Sequence, residues 1–105
     1  EEVKEQSWKA CYKLGLLMKK AKEITKAESY LLQAFHDKAN DKKHESGIEL
    51  AKLYEHVNKD MEKALEYSRL SLEFCKQFVN PSNSAKLTSE LEKRIVRLEK
   101  KKQGK

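Results

Sequence analysis

Residues 14–34 (LGLLMKKAKEITKAESYLLQA) and residues 50–72 (LAKLYEHVNKDMEKALEYSRLSL) carry the same pattern, and this repetition decides the fold. Gly15 and Ala51 are 36 residues apart, and Ala27 and Ala64 are 37 residues apart, so small residues recur at an almost fixed period. A period in this range is typical of helix-turn-helix units that stack side by side. Stacked units of this kind form extended surfaces that bind other molecules.

The composition favours a single all-helical domain. The 105 residues provide one modest core, and only three Gly and one Pro interrupt a chain that is 38% hydrophobic and 38% charged. The longest apolar run, residues 14–18, has five residues, whereas a membrane-spanning helix needs about 18. No stretch has the layout of a secretory signal. We therefore expect a water-exposed helical protein with no membrane partner.

The cysteine pattern predicts two buried thiols. Cys11 and Cys75 each lie within a helical stretch and have no second Cys or His at ligand spacing, so we predict no metal site. Two reduced thiols are favoured over a disulfide, which points to a cytoplasmic location. No cofactor-binding motif is present, and we predict no cofactor.

Apolar spacing predicts five helices: about 6–22, 25–37, 43–57, 61–78 and 84–101. Thr25 with Glu28 forms a capping-box pattern for the second helix, and Asp60 suits the N-cap of the fourth. The short linkers imply antiparallel packing of successive helices. We expect one domain over residues 1–105, with repeat 1 at 8–38, repeat 2 at 43–78 and a capping helix at 84–102. Because the chain opens on Glu1, we also expect it to be a segment of a larger protein.

These residues resemble the tetratricopeptide repeat (TPR), which has a Leu-Gly pair and an aromatic in its first helix and two Ala around a large residue in its second. The matching residues are Leu14-Gly15, Leu50-Ala51, Tyr54, Ala27, Leu31, Ala34 and Ala64. Met18 replaces the aromatic in the first copy, Ser68 and Ser71 depart from the second-helix pattern, and the terminal Pro of the first repeat is missing. The resemblance implies an all-α, right-handed α-α superhelix of two antiparallel hairpins plus a C-terminal capping helix.

A weaker resemblance links the chain to another family. Residues 51–56 (AKLYEH), 59–65 (KDMEKAL) and 91–100 (LEKRIVRLEK) are similar to the C-terminal helical segment of bacterial ribonuclease-H-like exonucleases. In that family the catalytic carboxylates would lie in an upstream domain that this sequence does not contain. The resemblance implies an accessory role beside a nuclease.

The segment itself is predicted to be non-catalytic. It contains no phosphate-binding glycine loop, no nucleophile elbow and no Cys/His pair placed for acyl transfer. His36, His44 and His56 share no four-residue spacing and no ligand partner at metal-binding spacing, so we interpret them as structural.

The TPR resemblance implies that the first helix of each hairpin lines a concave groove. The residues mapped to this groove are Lys9, Tyr12, Leu16, Lys19, Ile48, Lys52 and Glu55. Apolar side chains flanked by lysines suit a peptide with apolar anchors and acidic neighbours. The family's clamp for C-terminal carboxylates uses Lys and Asn where this chain has Tyr12 and Leu16, so that specificity is not expected. A simple solvated face is the alternative.

The C-terminal helix carries most of the net charge of +6. Residues 86–105 contain eight basic and three acidic residues, and Lys86, Lys93, Arg97 and Lys100 share one helical face. Such a stripe can track the phosphates of a nucleic acid. No aromatic residue is interleaved for base stacking, and a basic last turn also complements the helix dipole and aids solubility. Protein or peptide binding is therefore our leading hypothesis, and nucleic-acid binding is the alternative.

Overall fold

The computed structural model describes residues 7–104, which form five helices. These are α1 (Trp8–Lys20), α2 (Ile24–His36), α3 (Lys43–His56), α4 (Met61–Phe78) and α5 (Pro81–Gln103). Helix makes up 83% of this part of the chain, which contains no strand, so the predicted all-helical class is confirmed. Within the same range, none of the helices combines the length and apolar character needed to cross a membrane.

Polar side chains fix where three helices begin. The Ser7 hydroxyl accepts a hydrogen bond from the Ala10 amide at 3.2 Å, and Asp60 accepts one from the Lys63 amide at 3.1 Å, as predicted for Asp60. Asn80 caps α5, which begins at Pro81 rather than at the predicted residue 84. The reason is that Pro needs no hydrogen bond for its nitrogen in the first turn, so the sequence break is the start of the helix.

The predicted capping box at the start of α2 is wrong. The helix begins at Ile24, with Glu23 as its N-cap and no side-chain capping bond. Lys22, in the left-handed region at φ 68°, reverses the chain between α1 and α2. The Glu28 carboxylate instead accepts a hydrogen bond from the Tyr54 hydroxyl at 2.6 Å. Glu28 therefore ties α2 to α3.

Successive helices pack on each other as antiparallel hairpins. In each hairpin, a residue near the start of one helix meets a residue in the second half of the next. Examples are Cys11 with Gln33, Gly47 with Ser71, and Glu62 with Lys102. The two- to six-residue linkers between helices leave the chain no other route.

Small residues allow the helices to approach closely. Ala27 and Ala64 are fully buried, as predicted. A Cβ on Gly15 would lie 2.7 Å from Leu31 Cγ, and one on Gly47 would lie 2.0 Å from Ser71 Oγ. Both positions are therefore closed to larger residues unless their neighbours move.

Side-chain contacts also join helices that are not consecutive in the chain. A ring contact between Phe35 and Tyr67 (5.2 Å) joins α2 to α4. Ion pairs join α1 to α3 through Lys19 and Glu49, and α5 to α3 through Glu55. The central core consists of Leu31, Phe35, Leu50, Ala51, Tyr54, Ala64, Leu65, Tyr67 and Leu98.

Both cysteines are buried and unpaired, which agrees with the prediction of reduced thiols. Burial raises the pKa of each thiol, and the charge of Asp37 raises that of Cys11 further. Protonated thiols are poor nucleophiles and poor metal ligands. Cys11 and Cys75 therefore act as packing residues.

Candidate interaction groove

The residues that the sequence assigned to a groove all lie on α1 and α3, and α5 joins the same face through its ion pairs to α3. Tyr12, Leu16, Ile48 and Lys52 are all partly exposed, and Lys9 is exposed. Tyr12 also packs against the central core. Burial, followed by the nearby charges of Glu49 and Glu45, raises the pKa of its hydroxyl, so Tyr12 offers a neutral ring edge to this face.

Glu49 is a groove residue that the sequence analysis missed. Its carboxylate accepts a hydrogen bond from Lys19 Nζ at 3.0 Å and lies 3.6 Å from Lys52 Nζ. The Lys52 contact follows from a three-residue helical spacing and was visible in the sequence. The Lys19 contact joins α1 to α3 across 30 positions and depends on the tertiary fold. Glu49 partly neutralises the two lysines that were expected to make this end of the groove basic.

Glu55 does not line an accessible groove, and its assignment as a peptide-contacting residue is wrong. Its side chain is 0% exposed because α5 covers it. Arg94 Nη1 donates to the carboxylate at 2.8 Å, Arg97 Nη2 contacts both oxygens at 2.7 and 2.8 Å, and Lys101 Nζ donates at 2.9 Å. Glu55 therefore fastens α5 to α3.

The Glu55 cluster, comprising Glu55, Arg94, Arg97 and Lys101, keeps Glu55 ionised and carries a net positive charge. Burial alone would raise the pKa of Glu55, but the hydrogen bonds from Arg97 and Lys101 outweigh it and lower the pKa to about 2. The carboxylate is thus ionised at neutral pH. One negative charge faces three positive charges, so the cluster keeps a net positive charge at the surface of α5.

A cleft between α3 and α5 brings together two sets of residues that the sequence treated as separate surfaces. This α3–α5 cleft has a volume of about 350 Å³. Its apolar residues are Ile48, Leu87 and Leu91, and its charged residues are Lys52, Lys93, Arg94, Arg97 and Glu90. Four basic side chains with one acidic side chain around an aliphatic floor make the cleft suited to an acidic, partly apolar ligand.

Three of the four residues predicted to form a basic stripe on α5 line one cavity. Lys93, Arg97 and Lys100 line a second surface cavity of about 500 Å³, together with Ser89, Glu92 and Val96. Lys86 is exposed but does not line this cavity. Lys93 and Arg97 belong to both cavities, so the stripe and the α3–α5 cleft form one continuous basic edge.

Comparisons of the chain with protein-family models, curated proteins and solved structures give no match. The continuous basic edge is therefore the feature that indicates a function. The arrangement offers fixed cationic donors and a shallow apolar floor, which together can bind an anionic ligand.

Proposed function

We propose that this chain is a non-catalytic interaction module of TPR type. It binds an acidic peptide segment, from another protein or from another domain of its own chain, along the face formed by α1, α3 and α5. The observation that carries the proposal is the α3–α5 cleft, in which Ile48 and Leu87 lie beside the cations Lys52 and Lys93.

The packing supports the choice of a TPR-type module. Ala27 and Ala64 are fully buried, and Gly15 meets Leu31 at a distance that leaves no room for a side chain. These contacts fall at matched positions of the repeated pattern. The ion pairs that join α1 to α3 and α3 to α5 also support a shared face for a peptide.

The cleft offers a peptide both apolar and charged contacts. An aliphatic side chain of the peptide is buried against Ile48 and Leu87, which contributes roughly 25 cal/mol for each Å² of apolar surface removed from water. Carboxylates on the peptide pair with Lys52 and Lys93. Because Glu55 already holds Arg94 and Arg97, these guanidinium groups lose little side-chain entropy when a ligand binds.

A matched pair of charge reversals tests this function. The probe is the labelled peptide Ac-Asp-Glu-Leu-Asp-Glu-Leu-Asp-Glu-NH2, and fluorescence anisotropy gives its affinity. Lys93→Glu should weaken binding by about tenfold, a loss of ~1.4 kcal/mol. Lys26→Glu changes the net charge equally but alters an exposed residue of α2, and it should change affinity by less than about threefold, as a screened distant charge does. Equal losses in the two variants would contradict a localised site.

The alternative function is an accessory nucleic-acid contact of a bacterial exonuclease, favoured by the cavity that Lys93, Arg97 and Lys100 share. An oligonucleotide should then bind at ~50 mM salt, with log K falling by about 0.7–0.9 per phosphate contact against log[salt]. Lys93→Glu with Lys100→Glu should abolish this binding. Arg97 must be left intact, because reversing it would also break the Glu55 cluster. Peptide binding without oligonucleotide binding supports the first function, and the reverse result supports the second.

A further inference from the structure

A second recessed surface lies away from the groove, between the loop at residues 37–42 and the end of α4. This aromatic pocket has a volume of about 530 Å³ and is lined by Lys38, Asn40, Asp41, Lys43, Phe74 and Phe78. Phe78 is 69% exposed, more than any other large hydrophobic residue among residues 7–104. Together with the neighbouring Phe74, it gives this cavity an aromatic edge that solvent can reach.

The rim of the aromatic pocket is fixed by side-chain hydrogen bonds. Asp37 accepts a bond from the Ala39 amide at 2.9 Å. Asn40, which is buried, donates to the Ala34 carbonyl at 2.6 Å and accepts from the Lys42 amide at 2.7 Å. The loop is therefore held in one shape, and a ligand would not have to order it.

A row of rings runs from the interior to the surface of this pocket. His44, which is only 8% exposed, stacks on Phe74 at 5.5 Å, and Phe74 contacts Phe78 at 5.0 Å. Burial lowers the pKa of His44, and its Nδ1 has no hydrogen-bond partner within the described part of the chain. A neutral imidazole behind Phe74 makes this wall of the pocket apolar.

The charges around the aromatic pocket favour an anionic ligand. Lys38 and Lys43 line the pocket against a single carboxylate, Asp41, so its lining carries a net charge of +1. The N-terminus of α3 also lies here without a side-chain cap, and the amides of its first turn add positive potential that Glu45 in the same turn partly offsets. An apolar group with a carboxylate beside it complements both the rings and the lysines.

We propose that the aromatic pocket docks an aromatic side chain of an acidic segment on a partner protein, at a site separate from the groove. A nucleic acid fits less well, because the two rings are tilted by 41° rather than laid out as a stacking platform. The preformed loop and the row of rings that leads inwards from the exposed Phe78 make this a site for one inserted side chain.

Nuclear magnetic resonance titration of the full chain with short peptides tests the proposal. The probe is Ac-Glu-Asp-Trp-Asp-Glu-NH2, with Ac-Gln-Asn-Trp-Asn-Gln-NH2 and Ac-Glu-Asp-Ala-Asp-Glu-NH2 as neutral and ring-less controls. The acidic Trp peptide should shift the resonances of Lys38, Lys43, Phe74 and Phe78. The neutral analogue should bind about fivefold more weakly, because exposed ion pairs supply up to that factor, and the ring-less peptide should produce no shifts there.

Two variants separate this pocket from the groove. Phe78→Ala removes an exposed ring, so it should leave the melting temperature unchanged. It should weaken binding of the acidic Trp peptide at least about fivefold. Leu17→Ala, at a 60% exposed position on α1, should leave that affinity unchanged. Shifts confined to α1, α5 and the groove residues Ile48 and Lys52 of α3, with Lys43 unaffected, would overturn this site while leaving the groove intact. Tighter binding of a hexathymidylate strand to Phe74 and Phe78 would overturn the choice of a protein partner.

Discussion

Replacing Glu55 with Gln tests whether the Glu55 cluster fastens α5 to the rest of the molecule. The side chain keeps its shape but loses its charge, so three cations face a neutral amide. Arg94 is the partner most affected, because its side chain is only 18% exposed, whereas those of Arg97 and Lys101 are each 47% exposed. Water can resolvate the last two after the substitution, but it reaches Arg94 poorly.

The expected loss is about 2–3 kcal/mol at neutral pH. Lowering the Glu55 pKa from 4.5 to about 2 corresponds to roughly 3 kcal/mol at 1.36 kcal/mol per pKa unit. Removing one partner of a fully buried pair costs about 3–5 kcal/mol. Because Arg97 and Lys101 are partly exposed, water screens their pairs with Glu55 and the cost falls below that range. Both arguments therefore give a loss of about 2–3 kcal/mol.

The stabilisation by Glu55 should decrease as the pH falls. The folded protein holds Glu55 ionised down to about pH 2, whereas the unfolded chain binds a proton near pH 4.5. The stabilisation is therefore complete above about pH 5 and is lost as the pH falls towards 2. The difference in free energy of unfolding between the wild type and Glu55→Gln should shrink over the same range.

Urea unfolding, followed by circular dichroism at pH 7, 5 and 2.5, measures this difference. Glu62→Gln is the matched control, because Glu62 pairs with Lys102 at 3.3 Å but has a side chain that is 77% exposed. It should cost less than about 0.5 kcal/mol at any pH, as exposed pairs do. A Glu55→Gln loss no larger than that of the control would refute the cluster. A large loss that does not change with pH would show that packing, rather than charge, is responsible.

Two further predictions concern the close helix contacts. Ala27→Leu and Ala64→Leu should each lower the free energy of unfolding by about 1–3 kcal/mol through overpacking, and unchanged thermal melting would contradict the tight crossings at these residues. Gly47→Ala should also destabilise the fold, despite the better helix propensity of Ala, because its Cβ would lie 2.0 Å from Ser71 Oγ. Adding Ser71→Gly to this variant should recover part of the loss in the same urea titration, and a purely additive double variant would exclude the clash.

The helices could be predicted because their signals are local. Apolar spacing and the Asp60 cap gave α4 with the bounds seen in the structure, Met61–Phe78. The errors occur where a side chain has a distant partner. Thr25 and Glu28 have capping-box spacing, but Glu28 bonds Tyr54, which is 26 residues away. A contact between residues so far apart in the sequence cannot be predicted from local spacing.

The difference between local and distant contacts also explains why the contacts of Glu55 with α5 were not predicted. Arg94, Arg97 and Lys101 are three and four residues apart, so the sequence already places them on one face of α5. Their shared partner Glu55 lies 39–46 positions earlier and could be identified only from the packing of α5 on α3. Ile48 and Lys52 were correctly kept out of the core, but the helix that forms the other wall of their cleft was assigned to a different function.

The α3–α5 cleft and the basic stripe share Lys93 and Arg97, so peptide binding and nucleic-acid binding are competing explanations for one surface. The apolar floor of the cleft distinguishes them. A phosphate backbone gains from the cations but nothing from Ile48 and Leu87, whereas a peptide with aliphatic residues gains from both. The salt dependence of ligand binding therefore reports the chemistry of the ligand. A peptide should keep part of its affinity when salt screens Lys93, because burial of apolar surface is insensitive to moderate ionic strength, and an oligonucleotide should lose nearly all of its affinity.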